Sequence, residues 1–227
     1  MIKINNICYI VSACKDCCHS ICIERKKDDF IIAADGGYDI LTEMNVEADL
    51  LLGDFDSIEE MPKHKNIVKF PSQKDETDTF LAYKIGLERG YRNFIIYGGI
   101  GGRIDHTIAN IRTLSDISQN KGRGFLIGDD VILTSIRNSK ITFPESYKGY
   151  VSVFANGKDA EGVSISGLKY NVKDIALTHS LSLGVSNEFV GESAEISVKN
   201  GDLLIVWYET ATNFLKNIDN FVYKNEL

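Results

Sequence analysis

The chain has 227 residues, 44% hydrophobic and 25% charged, the balance of an ordinary soluble globular protein. At about 150 residues per domain this allows one large or two small domains, long enough to bury a sizeable core. Acids number 32 against 25 Lys and Arg, a net charge of −7. That excludes a broad basic surface for DNA or RNA, but not a phosphorylated small molecule, because a metal ion can bridge two sets of negative charge.

In the opening MIKINNICYIVSACKDCC, Lys15 and Asp16 interrupt the apolar run too early for a secretory signal. No stretch approaches the ~18 apolar residues of a membrane helix, so a cytoplasmic location with no membrane partner is expected. Cys8, Cys14, Cys17, Cys18 and Cys22 all fall in the first tenth of the chain, and five is odd. Reduced thiols are therefore expected rather than a disulfide framework. The string CKDCCHSIC lacks the second spaced pair of a structural zinc site.

ICYIVSA (7–13), FIIAADGG (30–37) and ADLLLGDFDS (48–57) read as strands with nearly unbroken apolar runs, and GYDILTEMN (37–45) as a short helix. Such runs belong in a parallel sheet covered on both faces. PSQKDETDTFLAYKIGLERG (71–90) carries helix punctuation: Pro71, a capping-box spacing from Ser72 to Asp75, and Gly90 as the stop. Leu81 and Ile85 are placed to face a core. NFIIYGG (93–99) is another buried strand, HTIANIRTLSDIS (106–118) a helix, and GFLIGDDVILTSI (124–136) one or two strands. The alternation predicts a doubly wound α/β domain over residues 1–137.

From residue 138 the segments SKITF, YVSVFA, VSISG, IALTHSLSL and AEISVKNGDLLIVWYE are short and alternating, with Asn156-Gly157 and Asn200-Gly201 as hairpin-turn signals. A small antiparallel β-sandwich domain is expected over 138–227. Its tail ATNFLKNIDNFVYKNEL has Phe214, Ile218 and Phe221 at helical spacing and reads as a short surface helix.

Ligands of an open parallel sheet bind outside the carboxyl ends of its strands, where this chain gathers its acids. Asp35 follows FIIAA, and Asp54 and Asp56 follow ADLLLG; Asp75 and Asp78 precede a helix, and Asp105 opens the next. Asp54 and Asp56, two apart on an extended segment, point the same way and suit a hard divalent cation such as Mg2+. Six converging acids would repel one another unless neutralised. GGIGGRIDH (98–106) is neither a Walker A motif nor a dinucleotide fingerprint; it is a strand-glycine-helix turn whose amides form an anion nest. Arg103 adds a guanidinium suited to phosphate oxygens.

LLLGDFDSI also resembles the signature of haloacid-dehalogenase-like phosphatases, with Asp54 as nucleophile, Asp56 as acid/base and Asp129-Asp130 as a later acidic motif. Against it, Ser57 falls at the variable position and Ile58 stands where Thr or Val is usual, and Asp35, KDETD and GGIGGRIDH are left without roles. A non-catalytic sensor of a nucleotide or other small ligand is a third reading.

The ordered set ADGGYDIL, LLGDFDSI, PSQKDETDT, YGGIGGRIDHTIANI, SGLKY and LGVSNEFVG resembles the thiamine pyrophosphokinases of the bacterial type over about residues 33–190. The resemblance implies an α/β catalytic domain and a β-sandwich. It also implies Mg2+-dependent transfer of a diphosphoryl group from ATP to the hydroxyl of thiamine, with release of AMP, in a homodimer with active sites between subunits. By motif, Asp54, Asp56 and Asp78 would face the metal, with Asp35 and Asp105 completing the acidic cluster; Asp78 or Asp105 would take the substrate's proton. Lys74, where eukaryotic relatives often have Gln, would neutralise the transferred group. Thr77, Gly99, Gly101, Gly102 and Arg103 would contact nucleotide or phosphates, with His106 and Asn110 in support. Ser186, Asn187 and Tyr170, the last where eukaryotic relatives carry Trp, would line the thiamine pocket.

Overall fold

The computed structural model describes residues 6–13, 21–55, 63–71, 73 and 75–224. Asp56, Lys74, Ser72 and three of the cysteines (Cys14, Cys17, Cys18) lie outside the described residues. Of the other two, Cys8 is buried and Cys22 half-buried, both as free thiols, and burial pushes the Cys8 thiol well above its usual range.

Six parallel strands form the first half of the fold: β1 (Ile7–Val11), β2 (Phe30–Ala34), β3 (Leu50–Gly53), β4 (Ile67–Lys69), β5 (Asn93–Tyr97) and β6 (Arg123–Ile127). Their spatial order is β4-β3-β2-β1-β5-β6. The chain walks outward from β1 to β4, then returns to the other side of β1 as β5. The point of reversal opens a crevice at the carboxyl ends of β1 and β5.

The unbroken apolar runs follow from cover on both faces. Cys8, Ile10, Ile32, Phe94 and Ile96 pack under the helices α2 (Asp78–Glu88) and α3 (Ile104–Gln119), while Tyr9, Val11, Ile31, Ala33 and Ile95 face the opposite core with α1 (Gly37–Glu43).

Helix α2 begins later than the capping-box spacing predicts. Thr77 is its cap, with Oγ1 accepting the Phe80 N–H at 3.2 Å. Its buried face also differs: Ala82, Tyr83 and Gly86 are buried, whereas Leu81 and Ile85 are half-exposed. Small residues decide this. A Cβ on Gly86 would lie 2.8 Å from Phe94 Cε1 and 2.9 Å from Cys8 Sγ, so the helix docks closest where it has least side chain.

Residues 124–136 supply two strands, β6 and β7 (Val131–Arg137), joined antiparallel by a tight turn in which the Gly128 N–H donates to the Val131 carbonyl. The remaining strands are β8 (Lys140–Phe143), β9 (Tyr150–Ala155), β10 (Ala160–Ser166), β11 (Val172–Leu177), β12 (Gly184–Glu188), β13 (Ala194–Ser197), β14 (Asp202–Tyr208) and β15 (Val222–Lys224). The antiparallel half is a sandwich, but one of its layers is shared. β14, β9 and β12 extend the parallel sheet beyond β7 into a ten-stranded sheet, and β11-β10-β13-β8-β15 forms the second layer.

The chain first changes sheet at Asn138 (φ 46°), between β7 and β8. Asn156-Gly157 and Asn200-Gly201 are likewise corners between sheets and not hairpins: β9 leads to β10, and β13 to β14, across the layers. The positive φ at Gly157 (81°) and Gly201 (117°) is as the sequence signals; what the signal does not specify is which sheet the next strand joins.

The tail is not a surface helix. In α4 (Ala211–Asn217) and the 3-10 turn after it, Phe214, Ile218 and Phe221 are buried. The Phe214 ring packs at a tilt, 4.7 Å from Phe125 and 5.4 Å from Phe221, in an aromatic cluster with Trp207 and Phe143. The alternating strands leave a wide interlayer space that these rings fill.

Candidate active site

A cleft of about 690 Å3 opens at the point of strand reversal, within the size range of small-molecule sites. Strand and helix ends build it. Asp35 leaves β2 with its N–H donated to the Leu52 carbonyl at 2.7 Å. Thr77 and Asp78 begin α2, and Gly98, Gly99, Gly101, Gly102 and Arg103 lead into α3, with His106 and Asn110 behind them.

Backbone conformation at the rim is specialised. Asp35 (φ 51°) and Phe55 (φ 56°) adopt left-handed geometry, which is uncommon outside glycine. Gly98 (φ 67°) is required twice over, since a Cβ there would fall 2.3 Å from the Ser12 carbonyl oxygen.

The glycine loop is tied to α3 from beneath. Buried Asn110 donates Nδ2 to the Gly99 carbonyl at 2.9 Å, and Thr107 Oγ1 accepts the Gly101 N–H at 3.1 Å. Both tethers leave Gly101, Gly102 and Arg103 exposed above the cleft. Asp78, in the first turn of the 11-residue α2, sits where the helix dipole favours a negative charge.

The expected acids are only partly brought together. Asp35 and Asp78 line the cleft. Asp54 stands half-buried just past β3, the strand next to β2, so it leaves the same sheet edge as Asp35. Asp75 is exposed before α2. Asp105 instead holds Arg103: its Oδ2 accepts from the guanidinium at 2.6 Å and its Oδ1 from Nε at 3.2 Å and from the His106 N–H at 3.0 Å. This bond lowers the Asp105 pKa and raises that of Arg103. Both side chains are well exposed, so the pair is easily exchanged. Among the described residues no group of three or more His, Cys, Asp or Glu is gathered closely enough to hold a metal ion. Asp129 and Asp130 lie in the β6–β7 turn and do not line the cleft.

Sequence reasoning missed Ser12, Ala13, Ala34 and Thr79, which also line it. Ser12 directly follows β1, a strand end of the crevice that carries no acid; position alone marks it.

The second expected site is a groove of about 80 Å3 between β10, β11 and β12, lined by Tyr170, Leu183, Val185 and Asn187 among others. Tyr170 is 63% and Leu183 69% exposed. Asn187 is buried, and its amide is committed to holding Tyr170: Oδ1 accepts the Tyr170 N–H at 2.9 Å and Nδ2 donates to the Tyr170 carbonyl at 2.7 Å. Ser186 (φ 58°) is exposed and donates its N–H to Ser152 Oγ at 3.1 Å.

Two family models match the chain: the thiamin pyrophosphokinase catalytic domain over residues 24–126 and the thiamin pyrophosphokinase vitamin B1 binding domain over residues 138–203. The chain is 26% identical to the thiamine pyrophosphokinase of Bacillus subtilis over 189 residues, 77% of this chain and 85% of that one. It is also 26% identical to thiamin pyrophosphokinase 1 of Caenorhabditis elegans over 193 residues, 77% and 72% of the two chains. Among solved structures, the Bacillus subtilis thiamine pyrophosphokinase superposes with a TM-score of 0.81 at 23% identity, covering 91% of this chain and all of that one. A thiamin pyrophosphokinase family protein of Enterococcus faecalis gives 0.77 at 25% identity, covering 91% and 99%.

Proposed function

Because the chain belongs to the thiamine pyrophosphokinase family, we propose that it transfers a diphosphoryl group from ATP to thiamine, and that the cleft at β1 and β5 holds the nucleotide. The observation that carries this reading is the convergence, in one cleft, of Asp35, Asp78, the glycine loop and Arg103.

Such a transfer depends on alignment and charge neutralisation more than on covalent chemistry. Asp35, Asp54 and Asp78 each offer carboxylate oxygens, the hard donor type that fits Mg2+, an ion that typically takes one or two carboxylates and completes its shell with substrate phosphates and water; one or two of them would hold it, with Asp56 added by motif. When bound, the ion supplies positive charge at the phosphate oxygens. The Gly101 N–H is taken by Thr107, which holds the loop, so the exposed Gly102 N–H is the loop amide that would donate to those oxygens. Arg103 exchanges Asp105 for phosphate and stabilises charge that develops as the bond to the leaving AMP breaks. Lys74 assists by motif.

The thiamine subsite is assigned to the groove with Tyr170, held in place by Asn187, and Ser186 at its edge. It shares no residue with the cleft. Five strand spacings separate β5 from β12 in the sheet, or about 24 Å, whereas reacting atoms must approach to ~3–3.5 Å. Exposed Ile104 and Ile108 beside the cleft, and exposed Leu181, Leu183 and Val185 by the groove, support a homodimer in which one copy's groove covers its partner's cleft.

The test is product analysis with ATP, Mg2+ and thiamine. AMP forms only when thiamine is present. Inorganic phosphate released without thiamine, or binding without turnover, would remove the assignment. Mixing Asp78→Asn with Leu183→Asp, each inactive alone, restores about a quarter of wild-type activity if the site is shared by a two-fold dimer; no recovery refutes the shared site.

A further inference from the structure

Ser12 and Thr79 are 6% and 7% exposed and both line the cleft. Their hydroxyl oxygens lie 2.7 Å apart. Two hydroxyls carry two protons, and one hydrogen bond joins them. Whichever group donates, the other keeps an O–H with no acceptor among the described residues. A buried donor without an acceptor is costly, so the pair is built to be completed by something that enters the cleft.

The surroundings say what that is. Ser12 is pinned by its N–H to the Tyr97 carbonyl at 2.9 Å, back to back with Gly98 at the head of the glycine loop. Thr79 follows Asp78 in the first turn of α2. The leftover proton therefore sits between an amide-rich loop and a helix N-terminus, both of which attract anions.

We infer that Ser12 and Thr79 act as one unit, a single hydroxyl donor to a phosphate oxygen of the nucleotide. The inference rests on the reading of the cleft as the ATP site. One hydroxyl orients the other, so the donor stays fixed in a pocket where a lone serine would rotate. Removing either partner alone leaves a hydroxyl able to donate; removing both abolishes the donor.

The test is Ser12→Ala/Thr79→Val. It replaces both partners by apolar groups of similar shape and leaves no orphaned group, a change that is close to neutral for folding. The double variant melts within a few degrees of wild type. By calorimetry it binds MgATP and Mg-tripolyphosphate about tenfold or more weakly, the weight of one hydrogen bond to a charged oxygen. The KM for thiamine is unchanged, and each single variant loses less. Thr79→Ser, which keeps both hydroxyls, binds as wild type. Unchanged affinities in the double variant would overturn the inference, as would a loss for MgATP without one for tripolyphosphate. If Asp78→Asn and Arg103→Ala leave MgATP binding intact, the cleft reading fails, and the inference with it.

Discussion

Replacing Gly99 by Ala tests whether the glycine loop is a packed structure or a loose one. No unusual φ bars the change; the obstacle is space. A Cβ at residue 99 would lie 2.7 Å from Leu126 Cδ1 and 2.9 Å from Asn110 Nδ2. Carbon contacts are comfortable at about 3.5–4.0 Å, so Leu126 must retreat by about 0.8 Å or the loop must rise by as much. Leu126 is fully buried within β6, and Asn110 is the loop's own tether. Overpacking of this kind costs about 1–3 kcal/mol, which for a chain of this length lowers the melting temperature by about 2–12 °C. The displaced loop also carries Arg103, and a shift near 1 Å at a positioning element can cost about 100-fold in turnover. The assay is urea unfolding beside AMP release. Adding Asn110→Ala should recover part of the stability but not the turnover, because it removes one clash and the tether together; the two changes are therefore non-additive. A Gly99→Ala protein with wild-type stability and turnover would refute the packing argument.

Three further outcomes follow from the same geometry. Asp78→Asn keeps the fold, since its neighbour Thr77 supplies the cap, yet lowers AMP formation by about 100-fold or more; near-normal turnover would dismiss Asp78 from the site. Phe214→Ala removes a fully buried ring from the aromatic cluster and costs about 3–5 kcal/mol in urea unfolding; a loss under about 1 kcal/mol would restore the surface-helix reading of the tail. Burial raises the Glu209 carboxyl above its usual pKa, although Tyr147 and Trp207 donate to it. The native state is thus penalised as the group ionises. The stability of wild type minus that of Glu209→Gln should fall as pH rises through the window above 4.5 and then level off; a flat difference would refute the burial argument.

Much of the catalytic half is legible in the chain because local and global signals agree there. Apolar runs such as IIAA and LLLG are strands because both faces are covered, and acids or glycines end them because those ends meet solvent at the crevice. Where a signal is only local, it misleads. Asn200-Gly201 specifies a backbone turn, but whether the next strand pairs with its predecessor or crosses to the other layer depends on distant partners. The tail's Phe214 and Phe221 satisfy a helical period equally well on a surface or between two sheets. Arg103 and Asp105, two residues apart, read as members of opposite functional sets, yet nothing in their spacing shows that they engage each other first. Ser12 and Thr79 are 67 positions apart, and only the fold makes them one group.

The place of β14 bears on how the protein is made. This strand lies inside the ten-stranded sheet, between β7 and β9, although it comes after every other strand of that sheet in the chain. Until residues 202–208 leave the ribosome, β7 can pair on one side only, and its other side offers an apolar strand edge to any passing chain. The cleft-forming strands all precede it, so a nascent chain can assemble the cleft while its sheet is still open. A stop codon falling after β7 but before residue 202 would therefore yield a sticky product as well as an incomplete one.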